Sequence, residues 1–448
     1  MGSVSYDFLA NSILFDQKSI DNNFNDLSDD QLQLILQEYR KHSLNNYNVS
    51  IEEITKNKSS LKVFSEIEKM PFELLKQSAL YFDQFVIYDP LFKITHEKSK
   101  ASKAFAKFLG FDPPESIDRE QLSQIANHLK MITPMVAGDF VKIIPLSYHL
   151  EPPKEIPITL PVNYYADSLP PEIISYFRER VKVTSTIETE NGWDFLDHLD
   201  YTPGLFINFK GLHTNGGYTY NYAYPEIAKI DDKYITRLEI AKYPINKEEW
   251  NIWVFQCINS AAKSAYNKIN LELMVANDLN ATFLTDKDFI ANIITENLNA
   301  KETVETASAS QFLNMELPFM DRIDISKLME IRQFEAETFT NFRIELERQC
   351  KELRLVSDPY EIKLRQENII HDLGTVQVNK LNKKLTSLKN KGLLEASILF
   401  ASLSGSVQTG GWSILTAAYA ALSGIKSYRD YKDSIRENPA YFLWKVLK

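Results

Sequence analysis

The chain has 448 residues, of which 44% are hydrophobic and 25% are charged. These proportions are typical of a folded globular protein, and a chain of this length favours about two to four domains. The formal net charge of −10 argues against nucleic acid as a chain-wide partner, because such proteins present positive surfaces. With only Cys257 and Cys350, one chain can assemble neither a disulfide framework nor a thiolate zinc site, and we expect a cytoplasmic protein.

Three short runs rich in apolar and aromatic residues predict strands near the start of the chain, at residues 12–15, 84–88 and 140–144. Helical patterns lie between them, which is typical of an α/β layer. Prolines then crowd residues 145–161, where neither a helix nor a central strand persists. We therefore predict an N-terminal α/β region over residues 1–160.

Helix starts are signalled at three positions in the first 250 residues. Ser28 with Gln31, and Asn246 with Glu249, have the spacing of a capping box, in which each side chain accepts a hydrogen bond from the other residue's backbone N–H. Asp118 precedes a further amphipathic pattern. Each of these positions predicts a helix directly after it.

The middle of the chain mixes strand and helix patterns. Residues 205–210 and 218–224 flank an Asn-Gly-Gly sequence at 215–217, which predicts a β-hairpin. Residues 301–310 are small and polar, without apolar periodicity, and predict a linker. We therefore predict a mixed α+β region over residues 161–310.

The last third of the chain carries the strongest helical periodicity. From Ile325, apolar residues recur at helical spacing for about nine turns, which predicts one helix over residues 325–356. Asp358 is the expected N-cap of a second helix, over residues 359–391, and the two helices should form an antiparallel hairpin. The residues predicted on the buried side are Leu328, Phe342, Leu346, Leu373 and Leu381.

Together these patterns predict an α+β fold that is mostly helical. It has a small N-terminal α/β layer, a mixed middle region with a β-hairpin, and a C-terminal helical domain over residues 311–448. That domain consists of the long helical hairpin and short apolar helices. The scarcity of glycine (14) and proline (18) agrees with long regular elements.

Asp16 and Asp89 each follow a predicted strand. Because parallel strands end at one edge of a sheet, the two carboxylates are candidates for a divalent-metal site of a phosphoester hydrolase. The alternative is structural, since aspartate often follows a strand because its side chain caps turns.

Asp194, Asp197 and His198 form a second candidate metal cluster. Their spacing matches no motif with a known mechanism. The alternative is an ordinary solvated helix start, where acidic residues are favoured.

Residues 396–425 contain no charged side chain, and basic residues bracket them, Lys383 and Lys384 among those that precede. Trp412 and Leu415 lie within the run. A membrane-active segment on an anionic surface is one interpretation. The other is a buried helical hairpin, because residues 404–411 divide the run into halves too short to cross a bilayer.

Three short segments resemble large uncharacterised bacterial proteins. They are Tyr-Phe-Asp-Gln-Phe-Val-Ile at 81–87, Leu-Pro at 317–318 ahead of Ile-Arg at 331–332, and Asn-Pro-Ala-Tyr-Phe-Leu-Trp at 438–444. The resemblance implies a bacterial protein encoded among mobile-element and phage-defence genes. That group has no assigned activity, so no catalytic residue is carried over.

We therefore expect a non-enzymatic interaction or effector protein that acts through its C-terminal helical module, without a cofactor. Its expected partner is a protein or a second copy of itself, and an anionic membrane surface is the alternative. The rival hypothesis from a different class is a metal-dependent phosphoester hydrolase that uses the strand-end carboxylates.

Overall fold

The fold is α+β and mostly helical, as the sequence predicts. The structure, a computed structural model, describes residues 4–56, 61–65, 70–95, 117–145, 169–189, 192–213, 216–230, 233–241, 246–297, 309–310, 312–313, 315, 317, 323–353, 356 and 358–371. The α-helices, in chain order, are α1 (Val4–Ala10), α2 (Gln17–Asp21), α3 (Asp29–Asn45), α4 (Tyr47–Lys56), α5 (Phe72–Ser78), α6 (Pro90–Ile94), α7 (Arg119–Met131), α8 (Thr133–Ala137), α9 (Pro171–Glu179), α10 (Lys247–Asp278), α11 (Asp288–Asn292), α12 (Ile325–Phe334), α13 (Ala336–Leu353) and α14 (Pro359–His371). The strands are β1 (Lys62–Ser65), β2 (Gln84–Tyr88), β3 (Val141–Ile144), β4 (Val181–Thr189), β5 (Gly192–Phe195), β6 (Gly204–Phe209), β7 (Tyr218–Asn221), β8 (Ala223–Ile230), β9 (Lys233–Ile240) and β10 (Thr282–Leu284).

The three helix starts predicted in the first 250 residues are confirmed. Ser28 and Gln31 form a reciprocal capping box at α3, with N···O distances of 3.2 and 3.0 Å. Asp118 caps α7 and Asn246 caps α10, and each side chain accepts a hydrogen bond from the backbone N–H three residues on. These caps satisfy N–H groups that have no partner within the helix.

The strand predicted at residues 12–15 is wrong, because Ile13–Phe15 forms a turn of 3-10 helix. The side chain of Ser12 accepts a hydrogen bond from the N–H of Leu14, and the N–H of Asp16 donates to the carbonyl of Ile13. A run of three apolar residues after Ser12 is too short to distinguish strand from helix by periodicity, and the local hydrogen bonds decide in favour of the helical turn.

Four strands form a parallel sheet in the order β10-β1-β2-β3. Strands β2 and β3 confirm the predictions at 84–88 and 140–144, whereas no sequence pattern above predicts β1 or β10. Nearly every side chain of β1, β2 and β3 is buried. Parallel sheets typically have both faces covered, and helices cover them here.

β10 reaches this sheet from the end of α10, far along the chain. The buried ammonium of Lys62, at the start of β1, donates to the carbonyl of Ile54 in α4 (2.5 Å) and to that of Leu279 after α10 (3.2 Å). The parallel sheet therefore combines strands from residues 1–160 and from residues 161–310. The domain boundaries predicted at 160 and 310 stay predictions.

A separate antiparallel sheet has the order β5-β4-β6-β7. The pairing of β6 with β7 confirms the predicted hairpin, with Leu205 opposite Tyr220. Strands β8 and β9 form a two-stranded ribbon. Helices α9 and α10 pack on the antiparallel sheet around a core that includes Phe177, Phe209, Phe289 and Trp250.

The single helix predicted from Ile325 is wrong, because the helix breaks at Glu335. The backbone of Glu335 (φ −129°, ψ 46°) leaves the helical region while its N–H still bonds to the carbonyl of Ile331. Two helices result, α12 and α13. α14 follows and packs on α13, and residues 372–391 of the predicted second helix lie outside the described residues.

The predicted buried side of these helices is confirmed where it is described. Leu328, Phe342 and Leu346 are buried, and Leu373 and Leu381 lie outside the described residues. The three buried residues belong to the same apolar core as the N-terminal helices and the parallel sheet.

Candidate functional site

Asp89 directly follows β2 and is buried, with 3% of its surface exposed. One carboxylate oxygen, Oδ1, caps α6 by accepting from the N–H groups of Leu91 (3.0 Å) and Phe92 (2.9 Å). The other, Oδ2, accepts from the hydroxyl of Tyr39 at 2.7 Å. Both oxygens are therefore engaged by groups of the protein itself.

Burial raises the pKa of Asp89 to about 6, because removal from water disfavours the charged form. The N–H groups of Phe92 and Leu91 and the hydroxyl of Tyr39 oppose the rise, since all three donate to the carboxylate. The carboxyl group of Asp89 therefore ionises at about pH 6. Leu91, Phe92 and Tyr39 already occupy its two oxygens with hydrogen bonds.

Asp16 lies on no strand, so the prediction that it shares a sheet edge with Asp89 is wrong. It caps α2, where its Oδ2 accepts from the N–H (2.9 Å) and the hydroxyl (3.1 Å) of Ser19. These hydrogen bonds lower the pKa of Asp16. Across the described ranges, no group of three or more His, Cys, Asp and Glu side chains is placed to hold a metal ion.

The second candidate cluster is exposed. Asp194 lies in the short strand β5, and Asp197 and His198 follow it, all three open to solvent. The alternative of a helix start is wrong, because this segment is a strand and the bend after it.

The residues proposed for membrane or partner contact, Lys383, Lys384, Trp412 and Leu415, lie outside the described residues. Among the helices that the structure does describe, none is both long enough and apolar enough to span a bilayer.

Arg332, near the end of α12, fastens the C-terminal helices to the parallel sheet. Its guanidinium donates to three backbone carbonyls between α5 and β2, those of Ala79, Phe82 (2.9 Å) and Asp83 (3.0 Å). It also lies over the rings of Phe140 and Phe339, 4.8 and 4.2 Å from their centroids. A guanidinium offers five N–H donors in a planar fork, which suits a cluster of carbonyls at a helix end.

A second arginine strengthens this attachment. Arg343 in α13 forms an ion pair with the carboxylate of Asp83, whose other oxygen accepts from the N–H of Leu61 at 3.3 Å. Burial lowers the pKa of Arg332, and the charge of Asp83 opposes that shift. Arg332 stays charged at neutral pH, so α12 and α13 are both held to the start of β2 by charge-assisted hydrogen bonds.

Phe334 lies in the sequence between Arg332 and Arg343, the two arginines that attach these helices, and its surface is 78% exposed. Arg332 fixes the chain two residues before it, and the helix break at Glu335 follows it. Phe339, the next apolar residue of the series, is buried again. The fold therefore presents a large aromatic side chain to solvent at a defined position.

Phe334 borders a groove of about 740 Å³ between α8 and α12. Much of the lining is apolar, and Lys130, Glu330 and Gln333 supply polar groups. The ammonium of Lys130 donates to the carbonyl of Phe15 at 2.9 Å. The lining residues are Ala10, Phe15, Lys130, Thr133, Pro134, Ala137, Gly138, Ser326, Met329, Glu330, Gln333 and Phe334.

Gly138 allows the two helices that border the groove to approach each other. A Cβ atom at this position would lie 2.7 Å from Cγ and Sδ of Met329 in α12. The amide of Gln333 also donates to the carbonyl of Ala137, at 3.3 Å. The groove is thus bounded by packed, hydrogen-bonded helices.

The sequence patterns did not predict this groove, and they placed Phe334 on the apolar stripe of one long helix. One feature of the sequence does indicate the helix break after Phe334. The stripe runs Ile331, Phe334, Phe339, Phe342 and Leu346, with steps of three, five, three and four residues. A helical face repeats every three or four residues, so the step of five marks the break after Phe334.

No family model, no curated protein and no solved structure matches the chain.

Proposed function

We propose that this protein is a non-enzymatic interaction or effector protein that binds a protein partner through its C-terminal helical module. The contact is the groove between α8 and α12, with Phe334 as its anchor. The observation that supports this proposal is the 78% exposure of Phe334 beside an apolar groove, on a helix that Arg332 holds in place.

Exposed aromatic side chains on rigid elements are typical of protein interfaces. Residues that dominate binding energy are often aromatic and sit in apolar surroundings. A groove between two helices suits an amphipathic helix whose apolar face enters it. Lys130 and Glu330 then pair with charges at the edge of that partner helix.

Photo-crosslinking tests this proposal. The crosslinking amino acid p-benzoylphenylalanine replaces Phe334 in the full chain, and in a control it replaces Leu34, which is exposed on α3. We expect position 334 to capture a discrete protein or a second copy of the chain, identified by mass spectrometry. Equal yields of the same products at both positions would contradict the proposal.

A second variant separates binding from folding. Phe334→Ser removes an exposed side chain, so the free energy of unfolding should change by less than about 0.5 kcal/mol. The affinity of self-association, or of binding to the partner that the crosslinking identifies, should fall at least about tenfold, since anchor residues contribute about 2 kcal/mol or more. An unchanged affinity would argue against Phe334 as the anchor.

The cellular setting is part of the proposal and rests on the resemblance to proteins of phage-defence genes. Bacteria that produce the wild-type chain should survive phage challenge better than bacteria that produce Phe334→Ser at the same level. Equal survival would remove phage defence from the proposal. No observation on the described residues favours the alternative of a metal-dependent phosphoester hydrolase at Asp16 and Asp89.

A further inference from the structure

The outer edge of the antiparallel sheet combines exposed apolar and acidic side chains. β5 is the terminal strand in the order β5-β4-β6-β7, so one of its sides has no strand beside it among the described residues. Phe195 is 57% exposed and Leu199 is 43% exposed. We call Asp194, Phe195, Asp197, Leu199 and Asp200 the β5 edge.

This edge is held in place by the strand behind it. The N–H of Leu196 donates to the carbonyl of Ser185 at 2.9 Å, and the N–H of Ser185 donates to the carbonyl of His198 at 3.2 Å. The hydroxyl of Ser185 bonds to the N–H of Asp200 at 2.8 Å. The backbone of the β5 edge therefore needs little reorganisation to bind a partner.

Phe195 is fixed as well as exposed. Its ring meets the ring of Phe206 edge to face, with centroids 5.0 Å apart, and its backbone is paired with Thr186 in β4. An exposed aromatic side chain in a single orientation loses little conformational entropy when a partner covers it.

The negative charge of the β5 edge indicates that a basic segment fits it. Within the described part of the chain, the carboxylates of Asp194 and Asp197 form no ion pair and accept no hydrogen bond. Asp194 and Phe195 are consecutive residues of β5, so their side chains leave opposite faces of the edge strand. A segment that lies along the edge, with long lysine side chains beside apolar residues, can reach both.

The chain itself contains such a segment. Residues 380–391 include five lysines and no acidic residue, and their leucines at 381, 385 and 388 follow helical spacing. Residues 372–379 join this segment to the end of α14 at His371. A segment tethered to the same chain is favoured over a second copy when its linker spans the distance to the site.

We propose that the lysine-rich segment 380–391 docks on the β5 edge of the same chain, with its lysines at Asp194 and Asp197 and its leucines on Phe195 and Leu199. This contact covers Lys383 and Lys384 in the free protein. Any other partner of these lysines, an anionic surface included, must then compete with the β5 edge. The inference is independent of the groove at Phe334.

A labelled peptide of residues 379–392 tests the contact in the full chain. The peptide should bind Lys383→Glu/Lys384→Glu, whose own segment is weakened, at least about tenfold more tightly than it binds the wild type. Adding Asp194→Lys/Asp197→Lys to that variant should abolish peptide binding. The matched control adds Asp26→Lys/Glu38→Lys, exposed acidic residues elsewhere, and should leave binding unchanged.

Three outcomes would overturn the proposal. They are no peptide binding to any variant, binding that the Asp194/Asp197 reversal does not weaken, and equal binding to the wild type and the Lys383/Lys384 variant. Carboxyl-to-amine crosslinking of a mixture of ¹⁴N and ¹⁵N chains is a second test. Crosslinks between the β5 edge and the lysine segment should join peptides of the same isotope, and mixed pairs would assign the contact to a second copy instead.

Discussion

Replacing Asp89 by asparagine should stabilise the protein at neutral pH. The carbonyl oxygen of asparagine can still cap α6 by accepting from the N–H groups of Leu91 and Phe92, and its NH₂ group can donate to the hydroxyl of Tyr39. The substitution therefore keeps the shape and the hydrogen bonds of the site. It removes the charge that is buried there.

The size of the effect follows from the pKa. Burial raises the pKa of Asp89 from its ordinary value of 3.8 to about 6, and a difference of about two pKa units corresponds to about 3 kcal/mol. Because the folded state binds the proton more tightly, the stability from this group is fully present below about pH 4. It is lost as the pH rises through 6.

Urea unfolding at pH 5 and pH 7.5 measures this prediction. The gain in unfolding free energy of Asp89→Asn over the wild type should increase by on the order of 1.5 kcal/mol between the two pH values. Asp16→Asn is the control. Its pKa is lowered in the fold, so Asp16 is ionised throughout this range and its effect should not vary with pH. A gain for Asp89→Asn that is the same at both pH values would refute the argument.

Three further predictions concern the helical module and the residues after it. Arg332→Met should cost about 3 kcal/mol in urea unfolding, because three carbonyls lose their donors, whereas Arg348→Met on the exposed side of α13 should cost less than about 0.5 kcal/mol; equal costs would contradict the role of Arg332. Leu346→Asp should destabilise the protein by on the order of 4 kcal/mol, while Ile344→Asp, two residues away and 58% exposed, should cost less than about 1 kcal/mol. An unchanged melting temperature for Leu346→Asp would place that residue outside the core. If the uncharged run 396–425 inserts into membranes, the chain should float with anionic liposomes and Leu415→Asp should abolish flotation; no flotation with any lipid leaves the run as ordinary core.

The helix starts and the buried apolar strands could be predicted because short-range interactions decide them. Ser28, Asp118 and Asn246 each accept a hydrogen bond from a backbone group three residues away, so the determining contact lies within the sequence window itself. β2 and β3 are mostly apolar, with Gln84 and Lys142 as their polar residues, and a parallel sheet buries such strands.

Local sequence also limits what can be inferred about candidate sites. The oxygens of Asp16 and Asp89 accept from groups within three residues, apart from the bond that Tyr39 donates. A strand-end aspartate in a metal site and a capping aspartate look alike in sequence.

The centre of the parallel sheet was decided by tertiary structure. β1 begins with Lys62, and a lysine normally indicates an exposed position. It is buried here because its ammonium meets the carbonyls of Ile54 and Leu279, the second of them 217 residues away. β10 likewise becomes a strand only when the end of α10 brings it beside β1.

The exposure of Phe334 was also decided by tertiary structure. The helical spacing up to Phe334 places it on the buried face of α12, although the step of five residues to Phe339 marks the break that follows. Arg332 binds carbonyls of Ala79, Phe82 and Asp83, about 250 residues earlier in the chain, and the helix breaks at Glu335. Helical spacing determined which residues can share a face. The carbonyls that the buried guanidinium of Arg332 binds lie far away in the sequence, and they fix the position of α12 in which the side chain of Phe334 is exposed.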